Sequence, residues 1–488
     1  MAPTGGNVQV VARVRPRRTY ETDDVAVLAV ERPNVIELRV PLLTHPGGGA
    51  SGIRMPSSSQ TRTPPPTSLL AMRSRQRIER YEFDRVFGPE STNDDLAAYV
   101  QPVVDAVVRQ EKDRATILTY GQTGTGKTYT MLGPMGTSLS TVGDDRPRRW
   151  SSNQTATVGQ PGVMVKVIER LLAATSRHGG GMAISCSYLE VYNNKLYDLL
   201  AKPASDTVRK THTTLEIRED GEHQLHVLGL RRVPTRSMDD FLALLLQGVQ
   251  QRAQRATDMN EQSSRSHTIL QIHVQFAGTS AVPRSAKICL VDLAGSEKLK
   301  KAPQLAAVMR NPAVASGVTS LPSDHMKEFA LINQSLSHLG QCIQALLADG
   351  CSTKGASKAA LHVPFRNCKL TRLLRDSFVS TENAATAGGA AEKQGTGKHH
   401  DCRQHRSVVV FILTLAPGLS AMGDSLMTLD FANRIKQIRF TTFGPEQPQP
   451  SAPSRPQPKL SRSFSMSMDG RMREAEAATL WRYIHQVR

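Results

Sequence analysis

The segment Gly121-Gln-Thr-Gly-Thr-Gly-Lys-Thr128 has the spacing of a phosphate-binding loop. It fits the pattern G-x-x-x-x-G-K-T and directly follows the buried-strand pattern Ala115–Tyr120, which is the context that this motif requires. Glycines let backbone N–H groups turn inward around an anion. Lys127 would place its charge on the β- and γ-phosphates, and the Thr128 hydroxyl is a hard oxygen ligand for Mg²⁺. The segment therefore predicts binding of a nucleoside triphosphate with Mg²⁺.

The base of this nucleotide follows by elimination. A GTPase would carry the motif N-K-x-D, and the nearest approach in this chain is Asn194-Lys-Leu-Tyr197. The acidic residue, Asp198, stands one place too late for that motif. We therefore predict that the chain binds an adenine nucleotide, ATP.

Two further polar segments suit a phosphoryl-transfer site, which needs groups that sense the terminal phosphate and position water. The segment Asn260-Glu-Gln-Ser-Ser-Arg-Ser-His267 offers an amide, hydroxyls and an arginine. The segment Asp292-Leu-Ala-Gly-Ser-Glu297 ends the strand-like run Lys287–Val291, where Asp292 can hold Mg²⁺ through water and Gly295 can offer a backbone N–H. Each segment alone is equally typical of a polar loop or turn. Together with the phosphate-binding loop they predict a nucleotide-hydrolysing site.

Strand-like and helix-like runs alternate along the chain and must position these segments. The predicted strands are Val8–Val14, Ala183–Tyr192, Ile269–Phe276, Lys287–Val291 and Val408–Leu415, with Tyr81–Phe87 as a further ordered run. The predicted helices are Leu96–Arg109, Met238–Gly248, Lys327–Leu347 and Lys369–Phe378. This alternation predicts a three-layer α/β domain.

Residues 1–440 form one predicted domain that long insertions interrupt. Stretches rich in Gly, Ser, Pro or Ala occupy about 41–75, 134–160, 302–323 and 380–404, and we expect them to be disordered surface loops. Beyond the domain, residues 441–467 form a Pro/Ser-rich linker. Residues 468–488 have the pattern of a short helix.

Composition limits the compartment and the partner. The chain has 488 residues with 61 Lys+Arg against 43 Asp+Glu, a net charge of +18, which favours an acidic partner. The 6 cysteines are widely spaced, as reduced thiols of a cytoplasmic protein are. No apolar run reaches the roughly 18–20 residues of a membrane span, and the N-terminus has no secretory-signal pattern.

A series of segments along the chain matches a known family in order. They are Arg13-Val-Arg-Pro16, Tyr81-Glu-Phe-Asp-Arg-Val-Phe87, Tyr120-Gly-Gln-Thr-Gly-Thr-Gly-Lys-Thr-Tyr-Thr-Met131, Ser187-Tyr-Leu-Glu-Val-Tyr-Asn193, Leu215-Glu-Ile-Arg-Glu-Asp220, the two polar segments above, Ile332-Asn-Gln-Ser-Leu336, His362-Val-Pro-Phe-Arg-Asn-Cys-Lys-Leu-Thr-Arg-Leu-Leu374 and Leu429-Asp-Phe-Ala-Asn-Arg434. Over about residues 7–440 the sequence resembles a kinesin motor domain. The resemblance implies a three-layer P-loop NTPase with a central, mostly parallel sheet, acting as an ATP-driven microtubule motor in the cytoplasm and cytoskeleton.

The resemblance also implies the residues of the nucleotide pocket. Arg13 and Pro16 would line the adenine pocket, with the ring of Tyr129 nearby. The implied nucleotide-binding set is Arg13, Pro16, Gly121, Gln122, Thr123, Gly124, Thr125, Gly126, Lys127, Thr128 and Tyr129.

For the reaction itself, the resemblance implies two switch segments. Arg265 and Glu297 would form an ion pair that closes the switches, and Glu297 would relay a proton through water. Asn333 would begin the helix that carries the switch state to the microtubule face. The implied catalytic set is Ser263, Ser264, Arg265, Gly295 and Glu297, and the implied Mg²⁺ set is Thr128, Ser264 and Asp292.

Two departures from the family pattern qualify this implication. Arg114-Ala115 replaces the usual turn before the phosphate-loop strand, which predicts an altered rim of the nucleotide pocket. The segment after Ile438 does not resemble a kinesin neck linker, which puts processive stepping in doubt but not hydrolysis.

Basic residues mark the predicted partner surface. Arg366, Lys369, Arg372 and Arg375 recur every third residue, which predicts a basic stripe on one helical face. In a kinesin this helix and the loop before it, with Lys354 and Lys358, would face acidic tubulin. Nucleic acid is the alternative acidic partner, but aromatic residues are only 5% and no nucleic-acid motif is present. The predicted microtubule contacts are therefore Lys354, Lys358, Arg366, Lys369 and Arg372.

Alternatives within the microtubule-binding class stay open. One is a nucleotide-gated protein that binds microtubules, hydrolyses ATP weakly and does not step. A microtubule depolymerase is less favoured, since 41–75 has no acidic residue. The apolar seam Ala477, Leu480, Ile484 and Val487 is too short for a coiled coil, so we expect this chain to be a monomer.

Overall fold

The computed structural model describes residues 8–22, 25–29, 34–41, 76–134, 160–177, 181–201, 214–221, 224–258, 265–277, 284–297, 323–350, 363–378 and 407–438. The predicted insertions, apart from single residues at their edges, lie outside these ranges, as do the predicted linker and C-terminal helix. None of the helices within these ranges has the length and apolarity that a membrane span requires.

A nine-stranded sheet forms the centre of the fold, in the order β11-β7-β12-β13-β6-β14-β1-β5, with β8 beside β7. From β13 to β5 all neighbours are parallel, whereas β12, β7, β8 and β11 pair antiparallel. The strands are β1 Val8–Val14, β2 Val27–Ala29, β3 Val35–Pro41, β4 Gln76–Glu82, β5 Arg85–Phe87, β6 Arg114–Tyr120, β7 Met182–Tyr192, β8 Lys195–Asp198, β9 Glu216–Glu219, β10 Leu225–Leu228, β11 Val233–Pro234, β12 His267–Phe276, β13 Arg284–Asp292 and β14 Ser407–Leu415.

Helices cover both faces of this sheet, which confirms the three-layer prediction. They are α1 Asn93–Val108, α2 Lys127–Leu132, α3 Val163–Arg177, α4 Met238–Asp258, α5 Ser323–Gly350, α6 Lys369–Phe378 and α7 Met422–Ile435. Adjacent side chains of a strand point to opposite faces, so Ile117 and Leu118 of β6 enter different apolar clusters. Ile117 lies in the cluster of α1, α3 and α4, and Leu118 in the cluster of α5, α6 and α7.

Local sequence explains where two of these elements begin. Thr92 and Asp95 form a capping box at the start of α1, in which each side chain accepts from the other residue's backbone N–H. Asn193 and Asn194 turn β7 into β8 with φ of 49° and 55°, a left-handed conformation that asparagine tolerates. The side chain of Asn194 then accepts a 2.8 Å hydrogen bond from the backbone N–H of Lys369, so this turn caps α6.

Smaller sheets lie outside the central one. Strands β2, β3 and β4 form an antiparallel sheet, and β9 pairs with β10 as a hairpin. The carboxylate of Glu219 in β9 accepts hydrogen bonds from Arg366, at 3.3 Å, and from Arg375 of α6, at 2.7 Å. The hairpin is thereby tied to the region that the sequence predicts as the partner surface.

A close contact between α4 and β7 gives a test of the packing. A Cβ at Gly248 would overlap the ring of Tyr188, which is fully buried. We expect Gly248→Ala to lower the free energy of unfolding by about 1–2 kcal/mol, because overpacking against a buried ring costs about 2–3 kcal/mol and the gain in helix propensity offsets only ~1 kcal/mol. Chemical denaturation followed by circular dichroism measures this change.

The matched control is Gly340→Ala in α5, where an added Cβ meets no atom within 4 Å. This change should raise the free energy of unfolding by roughly 0.5–1 kcal/mol, the usual gain from replacing a helical glycine. Equal effects of the two substitutions would refute the contact with Tyr188.

Candidate nucleotide-binding site

The phosphate-binding loop joins the end of β6 to the start of α2, as the sequence predicts. Gly121 has φ 154°, and a Cβ there would overlap the carbonyl oxygen of Thr414 on β14. Gly126 has φ 103° where it precedes α2. Residues that carry a side chain rarely adopt these backbone conformations. The two glycines therefore allow the loop to turn beside β14.

The ammonium of Lys127 is buried under this loop. Its Nζ donates to the carbonyl oxygens of Gly121, at 2.8 Å, and Gln122, at 2.9 Å. Burial lowers the pKa of Lys127, and the nearby carboxylates of Asp292 and Glu297 oppose that shift. The lysine therefore brings a cation into the loop, and among the described residues its hydrogen bonds go to two backbone carbonyls that a phosphate can replace.

Thr128 and Asp292 bring hard oxygen atoms together. Thr128 Oγ1 donates to Asp292 Oδ2 at 2.7 Å, and Thr119 Oγ1 donates to Asp292 Oδ1 at 3.3 Å. Asp292 is buried at the end of β13. Hydroxyl and carboxylate oxygens suit Mg²⁺, so the residues present fit the ion that the motif implies. The third predicted ligand, Ser264, lies outside the described residues, as does Ser263.

The carboxylate of Glu297 is bound to the phosphate-binding loop. It accepts a hydrogen bond from the backbone N–H of Thr123 at 2.8 Å and another from the Thr123 hydroxyl. A Cβ at Gly295 would overlap both the Glu297 carboxylate and the Thr123 hydroxyl, so this approach requires glycine. The loop N–H thus already holds a negatively charged oxygen, which is the chemistry that phosphate binding needs.

Arg265, which belongs to the other switch segment, is half-buried just before β12. The two carboxylate oxygens of Glu297 contact Thr123 in this conformation. The ion pair between Arg265 and Glu297 that the resemblance implies therefore stays a prediction for a second conformation of the switches.

On the base side of the loop, Tyr129 is 39% exposed and Pro16 is also exposed. Arg13 is buried, with its guanidinium carbon 5.5 Å from the centroid of the Tyr129 ring. The same guanidinium donates to Asn93 Oδ1 at 2.6 Å and to Thr130 Oγ1 at 2.9 Å. Arg13 thus supports Tyr129 from beneath, while Tyr129 and Pro16 have surface available to a base.

Sequence reasoning missed two arginines at this rim. Arg15 Nε and Arg18 Nη2 both donate to the carbonyl oxygen of Gly124, at 2.9 Å and 3.1 Å. Glu21 holds Arg15 in place, and its hydrogen bond with Arg15 lowers the pKa of Glu21 to about 2. Proximity to Pro16 was the available signal, but an exposed arginine near a motif is common.

A buried chain of alternating charges, also missed, reaches the site from α4. Arg252 Nη1 lies 3.7 Å from Asp292 Oδ2, and its Nε lies 3.8 Å from Glu190 Oε1. Arg252 Nη2 donates to the carbonyl oxygen of Ser266 at 3.2 Å. Arg255 Nη1 donates to Glu190 Oε2 at 2.5 Å. The sequence prediction ended this helix at Gly248 and so left both arginines outside it. Their spacing alone does not distinguish them from the arginines of a solvated helix.

The position of Arg114 corrects a prediction about the pocket rim. Arg114 begins β6, and the phosphate-binding loop follows the last of its 7 residues. At about 3.3 Å per residue the two ends are roughly 20 Å apart. Arg114 Nη1 lies 3.4 Å from the carbonyl oxygen of Asp376 in α6, so the residue cannot alter the pocket rim.

The predicted basic stripe also needs correction. Arg366 lies in a separate 3₁₀ turn, Phe365–Asn367, and Cys368 is extended before α6 begins at Lys369. Arg375 is largely buried and bound to Glu219 and Asp376. Only Lys369 and Arg372 share α6 without an acidic partner among the described residues. Lys354 and Lys358 lie outside those residues.

The comparisons with known proteins agree on one family. A family model for the kinesin motor domain matches residues 13–387. Kinesin-like protein KIN-8B of Arabidopsis thaliana is 32% identical over 375 residues, covering 76% of this chain and 36% of the relative. Kinesin-like protein KIF18B of Gallus gallus is 31% identical over 451 residues, covering 90% of this chain and 44% of the relative. The chain spans less than half the length of these relatives.

Solved structures give the same result for the fold. A structure of a fast kinesin superposes with a TM-score of 0.60 at 25% identity, covering 91% of this chain and 95% of that one. The motor domain of the Kar3-like kinesin from Ashbya gossypii superposes with a TM-score of 0.53 at 21% identity, covering 88% and 100%. The fold predicted from the sequence is confirmed.

The contact between Thr128 and Asp292 predicts how the site depends on Mg²⁺. We expect Asp292→Asn to raise the Mg²⁺ concentration needed for half-maximal retention of bound nucleotide by about 10–100-fold, because an amide holds the hydrated ion less strongly than a carboxylate. Release of a fluorescent ADP across a Mg²⁺ titration measures this. Asp376→Asn in α6, beyond the far end of β6, is the control. A Mg²⁺ dependence equal in both variants would remove Asp292 from the metal site.

Proposed function

This chain belongs to the kinesin motor-domain family, and we propose that it binds and hydrolyses Mg-ATP and couples closure of its switches to microtubule binding and movement. The observation that carries the proposal is the Glu297 carboxylate on the backbone N–H of Thr123. It supports a loop that binds anions and a switch that contacts the same loop. Kinesin motor domains are in general microtubule-based ATPase motors. This chain carries the residues that such a reaction needs, among them Lys127, Thr128 and Asp292.

Each part of the site has a role in the proposed reaction. Lys127 and the loop N–H groups bind the phosphates, and Thr128, Ser264 and Asp292 would hold Mg²⁺. When bound, that ion would neutralise charge that develops on the phosphate oxygens. Tyr129 and Pro16 would contact the adenine, with Arg13 supporting the Tyr129 ring.

The switch step follows from competition for Thr123. The N–H of Thr123 cannot serve the Glu297 carboxylate and a phosphate oxygen at once, so nucleotide binding favours release of the carboxylate. The freed Glu297 then pairs with Arg265, and the Gly295 N–H senses the terminal phosphate. In that closed state Glu297 orients the attacking water and relays its proton.

The proposed microtubule surface centres on α6. Lys369 and Arg372 lie near the start of this helix, and Arg366 in the adjoining turn is 76% exposed at its side chain. A cationic surface suits the acidic exterior of tubulin, because complementary charge steers encounter and fixes orientation. We also propose that Lys354 and Lys358, which lie outside the described residues, contact tubulin, and that the protein is a cytoplasmic, microtubule-associated monomer.

A second candidate function is a nucleotide-gated microtubule-binding protein that hydrolyses ATP weakly and does not move. The segment after Ile438 does not resemble a kinesin neck linker, which favours this alternative, whereas the presence of Lys127, Arg265, Gly295 and Glu297 favours the motor. Two assays separate them. ATP turnover that microtubules accelerate, together with gliding of microtubules over surface-bound protein, supports the motor. Weak turnover without gliding supports the alternative, and failure to bind microtubules in cosedimentation contradicts both.

The switch contacts predict separate effects on binding and on hydrolysis. We expect Arg265→Ala and Glu297→Ala to slow ATP hydrolysis by about 10²-fold or more, because each removes a group that acts on the water or the closed state. Affinity for ADP should stay near that of the parent chain in Arg265→Ala. In Glu297→Ala it should be the same or higher, because this change frees the Thr123 N–H. Single-turnover hydrolysis and fluorescent-ADP titration measure these quantities. Glu111→Ala is a surface control, and loss of nucleotide binding in both switch variants would contradict the assignment.

Charge reversal tests the microtubule surface. Lys369→Glu with Arg372→Glu should weaken microtubule binding in cosedimentation and flatten its dependence on salt, since salt screens exposed charges beyond about 8–10 Å. Arg109→Glu, at the residue after α1, with Arg177→Glu in α3 makes the same change in net charge on the other face of the sheet. Equal weakening by the two pairs would mean that net charge, not this surface, governs binding.

A change of opposite sign is available at the same surface. The Glu219 carboxylate forms ion pairs with Arg366 and Arg375. Glu219→Gln should therefore free Arg366 to contact tubulin and tighten microtubule binding several-fold. Arg375 keeps its contact with Asp376, 3.2 Å away, which limits the structural cost. Unchanged affinity would place Arg366 outside the interface.

A further inference from the structure

One buried imidazole touches three segments of the site. His267 begins β12, two positions after Arg265, and is 2% exposed. Its Nδ1 lies 3.0 Å from the backbone nitrogen of Ala294, the residue before Gly295. Its Nε2 lies 2.8 Å from Oγ of Ser335 in α5. The ring thus joins both switch segments to the long helix.

These contacts fix the protonation of the ring. The Ala294 N–H is a donor, so Nδ1 must be the acceptor, and the ring proton lies on Nε2 and is donated to Ser335. Burial, with the positive charges of Arg252 and Lys127, lowers the pKa of His267 to about 3. The neutral ring therefore works as a fixed two-ended connector.

Ser335 leads from this ring to the proposed partner surface. Its carbonyl oxygen lies 4.0 Å from Sγ of Cys368, the residue that precedes Lys369 and α6. Beyond Ser335, the buried Leu339 and Ile343 of α5 share the apolar cluster of α6 and α7. A shift of the Ser335 turn would therefore reach the start of α6.

We infer that His267 is a positioning residue that couples the backbone at Ala294–Gly295 to α5 through Ser335. This inference rests on the proposed function. When the Gly295 N–H moves toward a terminal phosphate, Ala294 moves with it, and the ring passes the displacement to the helix. A histidine that merely fills the core would need no such pair of contacts, one to a switch backbone and one to a helix hydroxyl.

Substitutions can separate coupling from packing. Ser335→Ala removes the acceptor on α5 and leaves the ring in place. His267→Asn keeps an acceptor for the Ala294 N–H, since its Oδ1 replaces Nδ1, and loses the donor to Ser335. Ser337→Ala is the matched control, because Ser337 is an exposed serine of the same helix.

The first readout is the ratio of microtubule-stimulated to basal ATP turnover. In Ser335→Ala we expect this ratio to fall about tenfold, the factor that corresponds to about 1.4 kcal/mol, with basal turnover within about twofold of the parent chain. In the double variant Ser335→Ala with His267→Asn, the ratio should fall no further than in the more affected of the two single variants. An Ser335→Ala ratio equal to that of Ser337→Ala overturns the inference. So does a parallel fall of basal and stimulated rates with a lower melting temperature, which indicates packing alone.

A second readout needs no microtubules and so separates this inference from the proposed function. Hydrogen exchange of residues 334–347 is compared with ADP and with a non-hydrolysable ATP analogue bound. We expect a nucleotide-dependent difference in the parent chain and in Ser337→Ala, and its loss in Ser335→Ala. A difference that persists in Ser335→Ala, or is absent from the parent chain, refutes the coupling even if microtubules stimulate turnover. If they do not, the proposed function fails while this comparison still decides the coupling.

Discussion

The buried charge of Lys127 is the constraint on which the rest of the site depends. An ammonium taken out of water is costly unless other groups replace its hydration, and here the carbonyls of Gly121 and Gln122 do so. Two backbone carbonyls can face one ammonium only if the loop turns tightly, and Gly121 permits that turn against β14. The same turn exposes the Thr123 N–H, and the carboxylate of Glu297 occupies it. The glycine spacing, the lysine and the switch contact are thus parts of one electrostatic arrangement.

Alternating charges extend this arrangement into the core. Buried ion pairs contribute little net stability, but removing one partner leaves an uncompensated charge, so each member holds its neighbour in place. Arg252 bridges Asp292 and Glu190, and Arg255 binds Glu190 with its guanidinium carbon 3.4 Å from the Tyr197 ring centroid. Among the described residues, Nε and Nη2 of Arg255 are buried without a hydrogen-bond partner, which is costly for a cation. Asp292 is therefore fixed from behind as well as by Thr128.

Motifs and strand patterns predicted the fold because they depend on short-range rules. The buried strands and the phosphate-binding loop were found from local pattern, and β1 Val8–Val14 and α6 Lys369–Phe378 have the predicted bounds. The sequence reading missed α3 and α7 and ended α4 at Gly248, because a glycine in a helix is tolerated wherever a close contact needs it. It also joined Arg366 to α6 across the extended Cys368. Which arginines are buried beside Asp292 depends on how distant segments meet, and spacing along the chain does not encode that.

The net charge of the chain could be read from the sequence, but the positions of the individual cations could not. A net charge of +18 favours an acidic partner but does not say which cations meet it. In the fold Glu219 reaches across from the β9–β10 hairpin to Arg366 and Arg375, so the most regular basic run in the sequence is partly neutralised where it would act. Exposed charges act over about a Debye length of 8–10 Å, so the carboxylate of Glu219, 3.3 Å from the exposed guanidinium of Arg366, weakens the field of that cation. In the proposed function, affinity for an acidic partner would then depend on a few local ion pairs, and the single carboxylate of Glu219 would tune it without any change in the nucleotide site.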